Sequence, residues 1–396
     1  MGQADPGSDL IEWVLRTATV NDDLGALLTG VCERMGEAGL PIWRATLDLP
    51  TIDPTFRALS HKWWRDRPGS VETLLHGPGQ DGAFQRSVIH HLLSIGLNER
   101  RWRLETGDGV ADFDLLQTLL KAGGTDYVMR LVPFGAERTV IRGVALSIAT
   151  DRAGGFADED IAFFDRLVPA LGLAACRISA ARTATDALSV YLGPKTAERV
   201  LAGEIRRGEG ERIAAAIFLA DLKRFTSFSE QEDPLRVVHW LNEHLEVVGD
   251  AVTARGGEIL KFLGDGLLAV FPVTDADRQP CPICEDALRA AEEVVAANGA
   301  LNGTRAARGE PALDVDVALH FGEAVYGNVG ASRRLDFTVI GRAVNEISRM
   351  EMLCDRIGRS IVLSEIFAQR CSRPTVALGA FALRGIAGDR VLYAVR

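Results

Sequence analysis

Two acidic residues stand where their carboxylates could bind a metal ion together. Asp221 directly follows the apolar run Ile213–Ala220, which is typical of a buried strand, and Asp265 lies in the tight turn Gly264–Gly266 between two β-rich segments. In a β-α-β-β unit the first strand and the hairpin are neighbours, so both carboxylates can reach one edge of the sheet. Paired carboxylates suit Mg²⁺, which shares its oxygen ligands with substrate phosphates. An alternative is that Asp265 is only a turn residue, because Asp-Gly is favoured in hairpins.

The segments around these acids predict an α+β domain. Apolar periodicity and turn signals indicate the order β-α-β-β-α-β, which is the ferredoxin-like arrangement. Two further strands and a helix follow it. The predicted elements are Ile213–Ala220 (strand), Pro234–Ala254 (helix), Glu258–Leu263 and Leu267–Val273 (strands), Asp286–Asn298 (helix), Leu313–His320 (strand), Ala343–Leu353 (helix), and Ser360–Leu363 and Val391–Val395 (strands).

The preceding half of the chain predicts a separate mixed α/β domain. A long helix is expected from near Asp158 toward Leu192, with acids in its first turn that suit the helix dipole. Strands closed by a hairpin and followed by an outgoing helix are similar to GAF- or PAS-like sensor domains, so a regulatory role is expected here. The other predicted elements are the helices Leu10–Arg16, Asp23–Met35, Ala83–Leu93 and Phe113–Ala122, and the strands Trp43–Leu49, Tyr127–Phe134 and Thr139–Ala149.

Composition excludes several classes of protein. The 396 residues carry a net charge of −10, so no basic field is available to attract nucleic acid or anionic lipid. The longest near-apolar run, Leu167–Cys176, is half the length of a membrane helix and contains Pro169. The polar, acidic first residues do not resemble a signal peptide, so a cytoplasmic protein is expected. The six cysteines do not form a disulfide framework, and Cys281 and Cys284 are expected to be reduced thiols in a surface loop.

Three blocks of the C-terminal half resemble the class III adenylate and guanylate cyclases. They occur in the family's order and at its usual spacing, and together they cover about 185 residues. The resemblance implies a catalytic domain at 211–396, preceded by a regulatory domain at 1–182 and a helical linker at 183–210. The blocks are Ala220–Thr226, Lys261–Gly266 and Phe337–Arg349.

The resemblance implies a role for each matching residue near the phosphates. Asp221 and Asp265 match the two aspartates that bind two Mg²⁺ or Mn²⁺ ions, and the carbonyl of Leu222 would also face a metal. The turn that includes Phe225 and Thr226 matches the backbone that holds the triphosphate through N–H groups, as phosphates are held at helix N-termini.

Other matching residues would contact the purine, the ribose and the charged transition state. Lys261 and Thr338 match the pair that reads adenine, where guanylate cyclases typically carry Glu and Cys. Asn345 and Arg349 lie i, i+4 on one helix, so they face the same way, and they match the residues that orient the ribose and stabilise the transition state. Arg384 stands where the family usually has a triphosphate-binding lysine. Without the blocks, each of these residues also has a purely structural interpretation as a surface or strand residue.

Two positions depart from the family pattern. Arg224 replaces the glycine that is most common before Phe-Thr, and an arginine would be strained there if the backbone requires a positive φ. Arg384 keeps the charge of the usual lysine but changes its shape. Neither change removes a reacting group.

The resemblance implies an adenylate cyclase that converts ATP to cyclic AMP and pyrophosphate. Class III sites form between two catalytic domains, so a head-to-tail homodimer is expected, in which Asp221 and Asp265 of one chain face Lys261, Thr338 and the other matching residues of its twin. Two alternatives remain open at this point. One is guanylate cyclase activity, and the other is an inactive cyclase-like module that binds a ligand or a partner.

Overall fold

A computed structural model describes residues 6–53, 56–135, 141–223, 225, 229–230, 232–273 and 281–396. The chain divides into two compact units, one up to Ala187 and one from Leu188. The sequence-based division, with its linker at 183–210, stays a prediction. Within the described residues no helix is both long and apolar enough to cross a membrane.

The first unit is built around a six-stranded antiparallel sheet. Its strand order is β3-β2-β1-β6-β5-β4. The elements are α1 (Pro6–Val20), α2 (Leu24–Glu37), β1 (Arg44–Pro50), β2 (Phe56–Trp64), β3 (Arg67–Leu75), α3 (Pro78–Gln85), α4 (Val88–Ser94), β4 (Glu99–Arg103), α5 (Asp114–Lys121), β5 (Asp126–Pro133), β6 (Gly143–Thr150) and α6 (Asp158–Leu192).

The two faces of this sheet have separate cores. Helices α1, α2 and α6 cover one face, where Leu47 of β1 is fully buried. Helices α4 and α5 cover the other face together with Trp102 and Tyr127. Because side chains alternate along a strand, β1 presents Ala45, Leu47 and Leu49 to the first core and Arg44, Thr46 and Asp48 to the second.

Several predictions for this unit need correction. The single helix expected at Ala83–Leu93 is two helices, because the Ser87 side chain accepts a hydrogen bond from His90 N and begins a new helix at Val88. Strands β2, β3 and β4 were not predicted, and β3 is almost entirely exposed, so it shows no apolar alternation. Strand β6 begins at Gly143, while part of the predicted strand Thr139–Ala149 lies outside the described residues. The GAF- or PAS-like resemblance of this unit stays a prediction.

The second unit contains an eight-stranded sheet. Seven strands follow the order β13-β14-β12-β10-β7-β9-β8, and β11 pairs with β10. The elements are α7 (Pro194–Leu201), β7 (Gly210–Leu222), α8 (Pro234–Ala254), β8 (Glu258–Leu263), β9 (Gly266–Pro272), α9 (Pro282–Ala307), β10 (Val315–Ala331), β11 (Arg334–Ile340), α10 (Arg342–Glu351), α11 (Cys354–Ile357), β12 (Ile361–Ser364), α12 (Glu365–Ala368), β13 (Thr375–Ala382) and β14 (Asp389–Val395).

The core of this unit has the predicted ferredoxin-like topology. Strands β10, β7, β9 and β8 are neighbours in that order and all pair antiparallel, and α8 and α9 supply the two connecting helices of the β-α-β-β-α-β unit. The α+β fold class is therefore confirmed. Helices α8 and α9 cover one face of the sheet, and α10 covers the other.

Some boundaries in the second unit differ from the predictions. Strand β10 continues to Ala331 and forms a long hairpin with β11, which was not predicted, and β13 was also missed. Helix α9 is 26 residues long and reaches Ala307. Cys281 caps the start of α9 and Cys284 lies in its first turn, and both are fully buried in the core rather than in a surface loop.

Candidate active site

The strand pairing brings the tip of the β8–β9 hairpin against Asp221. Ala220 of β7 pairs with Leu267 of β9, so Asp221 at the next position lies beside Gly266. A side chain at Gly266 would place its Cβ atom only 2.7 Å from Asp221 Oδ1. Gly264 adopts φ +72°, which suits glycine and closes the turn that carries Asp265. Both aspartates therefore lie at one edge of the sheet.

The electrostatics of this edge show an excess of negative charge. Burial first, and then the charges of Asp265 and Asp316, raise the pKa of Asp221 to about 7. Burial also raises the pKa of Asp265 above its ordinary value. A bound cation would relieve this repulsion, because opposite charge favours the ionised form of a carboxyl group.

Two further acids at this edge were missed by the sequence analysis. Asp316 of β10 lies directly opposite Asp221 and forms an ion pair with Lys223, at 2.9 Å between Nζ and Oδ1. Burial and the charges of Asp221, Asp316 and Asp265 raise the pKa of Glu351 to about 7. The sequence could have pointed to Asp316, because it is an acidic residue inside an otherwise apolar strand. The sequence could not have pointed to Glu351, because only the packing of α10 on the sheet brings it to Asp221.

The segment after Asp221 is described only in part. The Leu222 side chain packs in a small core with Trp240 and Leu313, with half-buried Phe225 against it. The backbone N–H of Lys223 donates to Asp314 O at 2.8 Å. This hydrogen bond holds the start of the turn against the residue that precedes β10. Arg224 and Thr226 lie outside the described residues.

Lys261 and Thr338 lie on the contacting strands β8 and β11. Lys261 Nζ forms an ion pair with Asp336 Oδ2 at 2.7 Å, and Asp336 stands two residues before Thr338 on the same strand. Thr338 is only 5% exposed, and its hydroxyl has no hydrogen-bond partner among the described residues. A buried hydroxyl without a partner is costly unless a ligand satisfies it.

Asn345, Arg349 and Arg384 are exposed. Helix α10 buries Ala343, Ile347 and Met350 against the sheet and leaves the i, i+4 pair Asn345 and Arg349 on its outer side. Arg384 follows β13 at Leu383-Arg384-Gly385, where Gly385 adopts φ +81°.

Within one chain the predicted site residues form two groups. One group is the acidic edge with Asp221 and Asp265, and the other contains Lys261 and Thr338, which the resemblance assigns to the purine (the predicted purine-facing pair). In the described part of the chain, no hydrogen bond or ion pair joins either aspartate to Lys261, Thr338, Asn345, Arg349 or Arg384.

The acidic edge fits divalent cations of the Mg²⁺ type. No set of three or more His, Cys, Asp or Glu side chains suited to a metal occurs among the described residues. The resemblance assigns Asp221, Asp265 and the Leu222 carbonyl to the metals, and substrate phosphates would supply the other ligands, as Mg²⁺ prefers.

Comparisons with known proteins find nucleotide cyclases. Residues 211–384 match the family model described as the adenylate and guanylate cyclase catalytic domain. An adenylate cyclase of Anabaena cylindrica is 34% identical over 174 residues, which cover 43% of this chain and 33% of that protein. Adenylate cyclase 1 of Rhizobium meliloti (strain 1021) is 29% identical over 332 residues, which cover 78% of this chain and 49% of that protein. The chain thus spans less than half the length of either relative.

Two solved structures also match the second half of the chain. The adenylyl cyclase CyaB from P. aeruginosa has 25% sequence identity and a TM-score of 0.43, covering 48% of this chain and 96% of that one. The guanylyl cyclase Cya2 has 28% identity and a TM-score of 0.41, covering 47% of this chain and 93% of that one.

The sequence blocks, the ferredoxin-like core and the family match all concern the same residues. The match begins at the start of β7 and ends at Arg384, so it includes every position that the resemblance assigns to the site. Residues 211–384 therefore belong to the adenylate and guanylate cyclase family, and this part of the chain is a class III nucleotide cyclase catalytic domain.

Proposed function

We propose that the chain is an adenylate cyclase, which forms 3′,5′-cyclic AMP and pyrophosphate from ATP at sites shared by two copies of the chain. The observation that carries the proposal is the apposition of the Asp265 hairpin and Asp221 at one edge of the sheet. The relatives from Anabaena cylindrica and Rhizobium meliloti carry the name adenylate cyclase, which supports the choice of reaction.

The purine preference rests on Lys261 and Thr338. A lysine ammonium can only donate hydrogen bonds, so it suits the acceptor N1 of adenine and not the N1–H of guanine. The unpartnered hydroxyl of Thr338 would accept from the exocyclic amine of adenine. Guanine presents a carbonyl at that position, and the Thr338 hydroxyl could satisfy it only as a donor. The pair as a whole therefore favours ATP.

The chemistry requires positioning and neutralisation of charge. The ribose 3′ oxygen attacks the α-phosphate in line, and pyrophosphate leaves. Divalent ions held by Asp221 and Asp265 would lower the pKa of the 3′ hydroxyl and neutralise the phosphates. Asn345 would orient the ribose, and Arg349 would donate hydrogen bonds to the charge that develops on the α-phosphate.

A head-to-tail homodimer would bring the two groups of residues together. Exposed apolar side chains surround the purine-facing pair, on β8, β10 and β11, and they would be covered by a second catalytic domain. Their exposed fractions are 55% for Phe262, 46% for Leu263, 46% for Val325, 41% for Val329 and 47% for Ile340. In this arrangement Lys261 and Asp265 of one chain serve different sites.

We also propose that the first unit regulates the catalytic domain. Helix α6 runs from Asp158 to Leu192, and α7 follows it. In the second unit the Thr196 hydroxyl of α7 is buried, 2.9 Å from the Tyr326 hydroxyl and 3.2 Å from Glu258 Oε1. These contacts connect α7 to β8, the strand of Lys261, and to β10, the partner of β11. If removal of residues 1–187 left the rate of cyclic AMP formation and the oligomeric state unchanged, this would contradict regulation of the catalytic domain by the first unit.

An assay with ATP and GTP tests the proposal directly. We expect cyclic AMP from ATP with Mn²⁺ or Mg²⁺, little cyclic GMP from GTP, and loss of activity in Asp221→Asn. The control is Asp250→Asn, which changes an exposed acid on α8. Cyclic GMP as the main product would overturn the purine assignment. No product from either nucleotide would favour an inactive, ligand-binding module.

A further inference from the structure

The first unit contains a cavity on the sheet face that carries Arg44. The cavity has a volume of about 330 Å³ and lies between the sheet and helices α4 and α5. A second cavity of about 350 Å³ adjoins it and shares Asp48, Leu74 and Ile89 with it. These sizes are within the range of small-molecule sites.

The floor of the first cavity is polar, whereas its walls are mostly apolar. Thr46 on the floor forms a hydrogen bond of 2.6 Å with Ser147 behind it and donates to Asp48 at 3.0 Å. Polar groups at one end of an otherwise apolar pocket fix the orientation of a ligand. The apolar walls consist of Leu74, Val88, Ile89, Phe113, Leu115 and Met129.

Arg44, on the floor of the cavity, is a buried cation with an unsatisfied hydrogen-bond donor. It is 5% exposed, and its Nε has no hydrogen-bond partner among the described residues. The guanidinium lies 5.2 Å from the centre of the Trp64 ring and near the Tyr127 hydroxyl, neither of which carries a negative charge. In the described part of the chain no carboxylate forms an ion pair with it.

Among the described residues none of the other charges around the cavity forms an ion pair with Arg44, although Asp48 on the same face of β1 interacts with it electrostatically. Arg86 and Asp114, which also line the cavity, are exposed. Lys62 pairs with Glu72, and Asp48 is held by hydrogen bonds from Thr46 and Ser60. Burial raises the pKa of Asp48, which weakens its charge. A buried cation without an ion-pair partner is unfavourable, so an anion that enters the cavity would gain a charge-assisted pair with Arg44.

We propose that this cavity binds a small organic monocarboxylate with an apolar body, whose carboxylate pairs with Arg44 and whose body lies against Ile89, Phe113 and Met129. Arg44 is the one buried cation among the described residues that line the cavity, since Lys62 pairs with Glu72 and Arg86 is exposed, and a single carboxylate would match it. A phosphate dianion would bring a second negative charge close to Asp48. The inference does not depend on the cyclase reaction, because the cavity lies wholly in the first unit.

Thermal unfolding and calorimetric titration of the full-length chain test this. The probes are phenylacetate, 4-methylpentanoate and octanoate, each beside its neutral amide, with inorganic phosphate as a separate arm. We expect at least one acid to raise the unfolding midpoint by about 2 °C or more, because ligands that bind only the folded state stabilise it. The amides and phosphate should have no such effect. No stabilisation by any of the acids, or equal stabilisation by phosphate, would overturn the proposal.

Variants of Arg44 give the sharper result. Arg44→Met should fold at least as well as the wild type, because it removes an unpaired buried charge, and it should bind the effective acid about tenfold more weakly or worse. The matched control is Arg103→Met, an exposed arginine on β4. Undiminished binding by Arg44→Met would contradict the site. If Arg44→Met does not fold, Ile89→Trp should fill the cavity and abolish binding, and retained binding there would contradict it equally.

Discussion

The ammonium of Lys261 lies 2.7 Å from Asp336 Oδ2, across the contact between β8 and β11. A lysine carries three donors, so Lys261 can keep this ion pair and still donate to a purine. Asp336 therefore orients Lys261 beside the buried hydroxyl of Thr338 without blocking it.

Removal of the Asp336 charge should have only a small effect on the kinetics with ATP. An exposed ion pair contributes about 0.2–1 kcal/mol, so Asp336→Asn should raise the KM for ATP by less than about fivefold and change kcat less. Steady-state kinetics beside Glu323→Gln, an exposed acid on β10, would measure this. A fall in kcat beyond about tenfold would assign Asp336 a role in the chemical step.

Exchange of the purine-facing pair should change the nucleotide preference. The double variant Lys261→Glu with Thr338→Cys replaces a donor by an acceptor that suits the N1–H of guanine. We expect kcat/KM for ATP to fall by about 10–100-fold, as for the loss of one or two hydrogen bonds to charged groups. The ratio of GTP to ATP turnover should rise in competition assays. An unchanged ratio would mean that other residues read the base.

Metal binding should strengthen as pH rises through neutrality. The pKa of Asp221 is raised to about 7, and a divalent ion requires the ionised carboxylate. Below pH 7 protons therefore compete with the metal, and the apparent Mn²⁺ affinity should rise by up to about tenfold per pH unit between pH 6 and 7, then level off above pH 8.

Titration of Mn²⁺ by calorimetry at several pH values tests this dependence, with Asp221→Asn as the variant that should lose it. The same raised pKa implies that the metal-free chain loses stability as pH rises from 3.8 to about 7, because the folded state holds the proton more tightly. An Mn²⁺ affinity that does not change between pH 6 and 8 would contradict the placement of Asp221 in the metal site.

His244 should make the protein sensitive to mild acid. Burial lowers the pKa of His244 to about 4, and the ring lies inside the second unit, with Nδ1 3.4 Å from Asn298 Oδ1. Between pH 6.5 and 4 the histidine is protonated in the unfolded chain but not in the folded one. The contribution of His244 to the free energy of unfolding is therefore fully present above pH 6.5 and is lost as pH falls through this window. The loss for this group is on the order of 3 kcal/mol.

Urea unfolding at pH 7, 6 and 5 measures the His244 contribution. His244→Gln should lose less stability than the wild type over this range. The control is His239→Gln on the same helix, whose side chain is 65% exposed. If His244→Gln and the wild type lost stability in parallel, the histidine would not be buried in its neutral form.

The sequence allowed the ferredoxin-like core to be predicted because its signals are local. Asp233 caps α8, Pro234 begins it, and Gly256 ends it with φ +79°. Continuous apolar runs mark β7 and β9 as buried strands. The predicted placement of Asp221 next to the hairpin followed from this element order.

Features that depend on tertiary packing could not be predicted. The predicted strand stopped at His320, yet glycines at 322, 327 and 330 allow β10 to continue beside close neighbours. A side chain at Gly327 would place its Cβ 2.3 Å from Glu209 O. Strand β3 was missed because it is exposed. The proximity of Glu351 to Asp221 follows from the packing of α10 on the sheet and from no sequence spacing.

Complementation between two inactive variants tests the shared site most directly. Asp221→Ala removes a metal ligand, and Asn345→Ala removes a group on the opposite surface, so each homodimer should be nearly inactive. In a mixture, one site of each heterodimer receives Asp221 from one chain and Asn345 from the other. We expect cyclic AMP formation to recover to about a quarter of the wild-type rate, from half of the dimers with one intact site each. Absence of recovery, with subunit exchange demonstrated, would contradict the account.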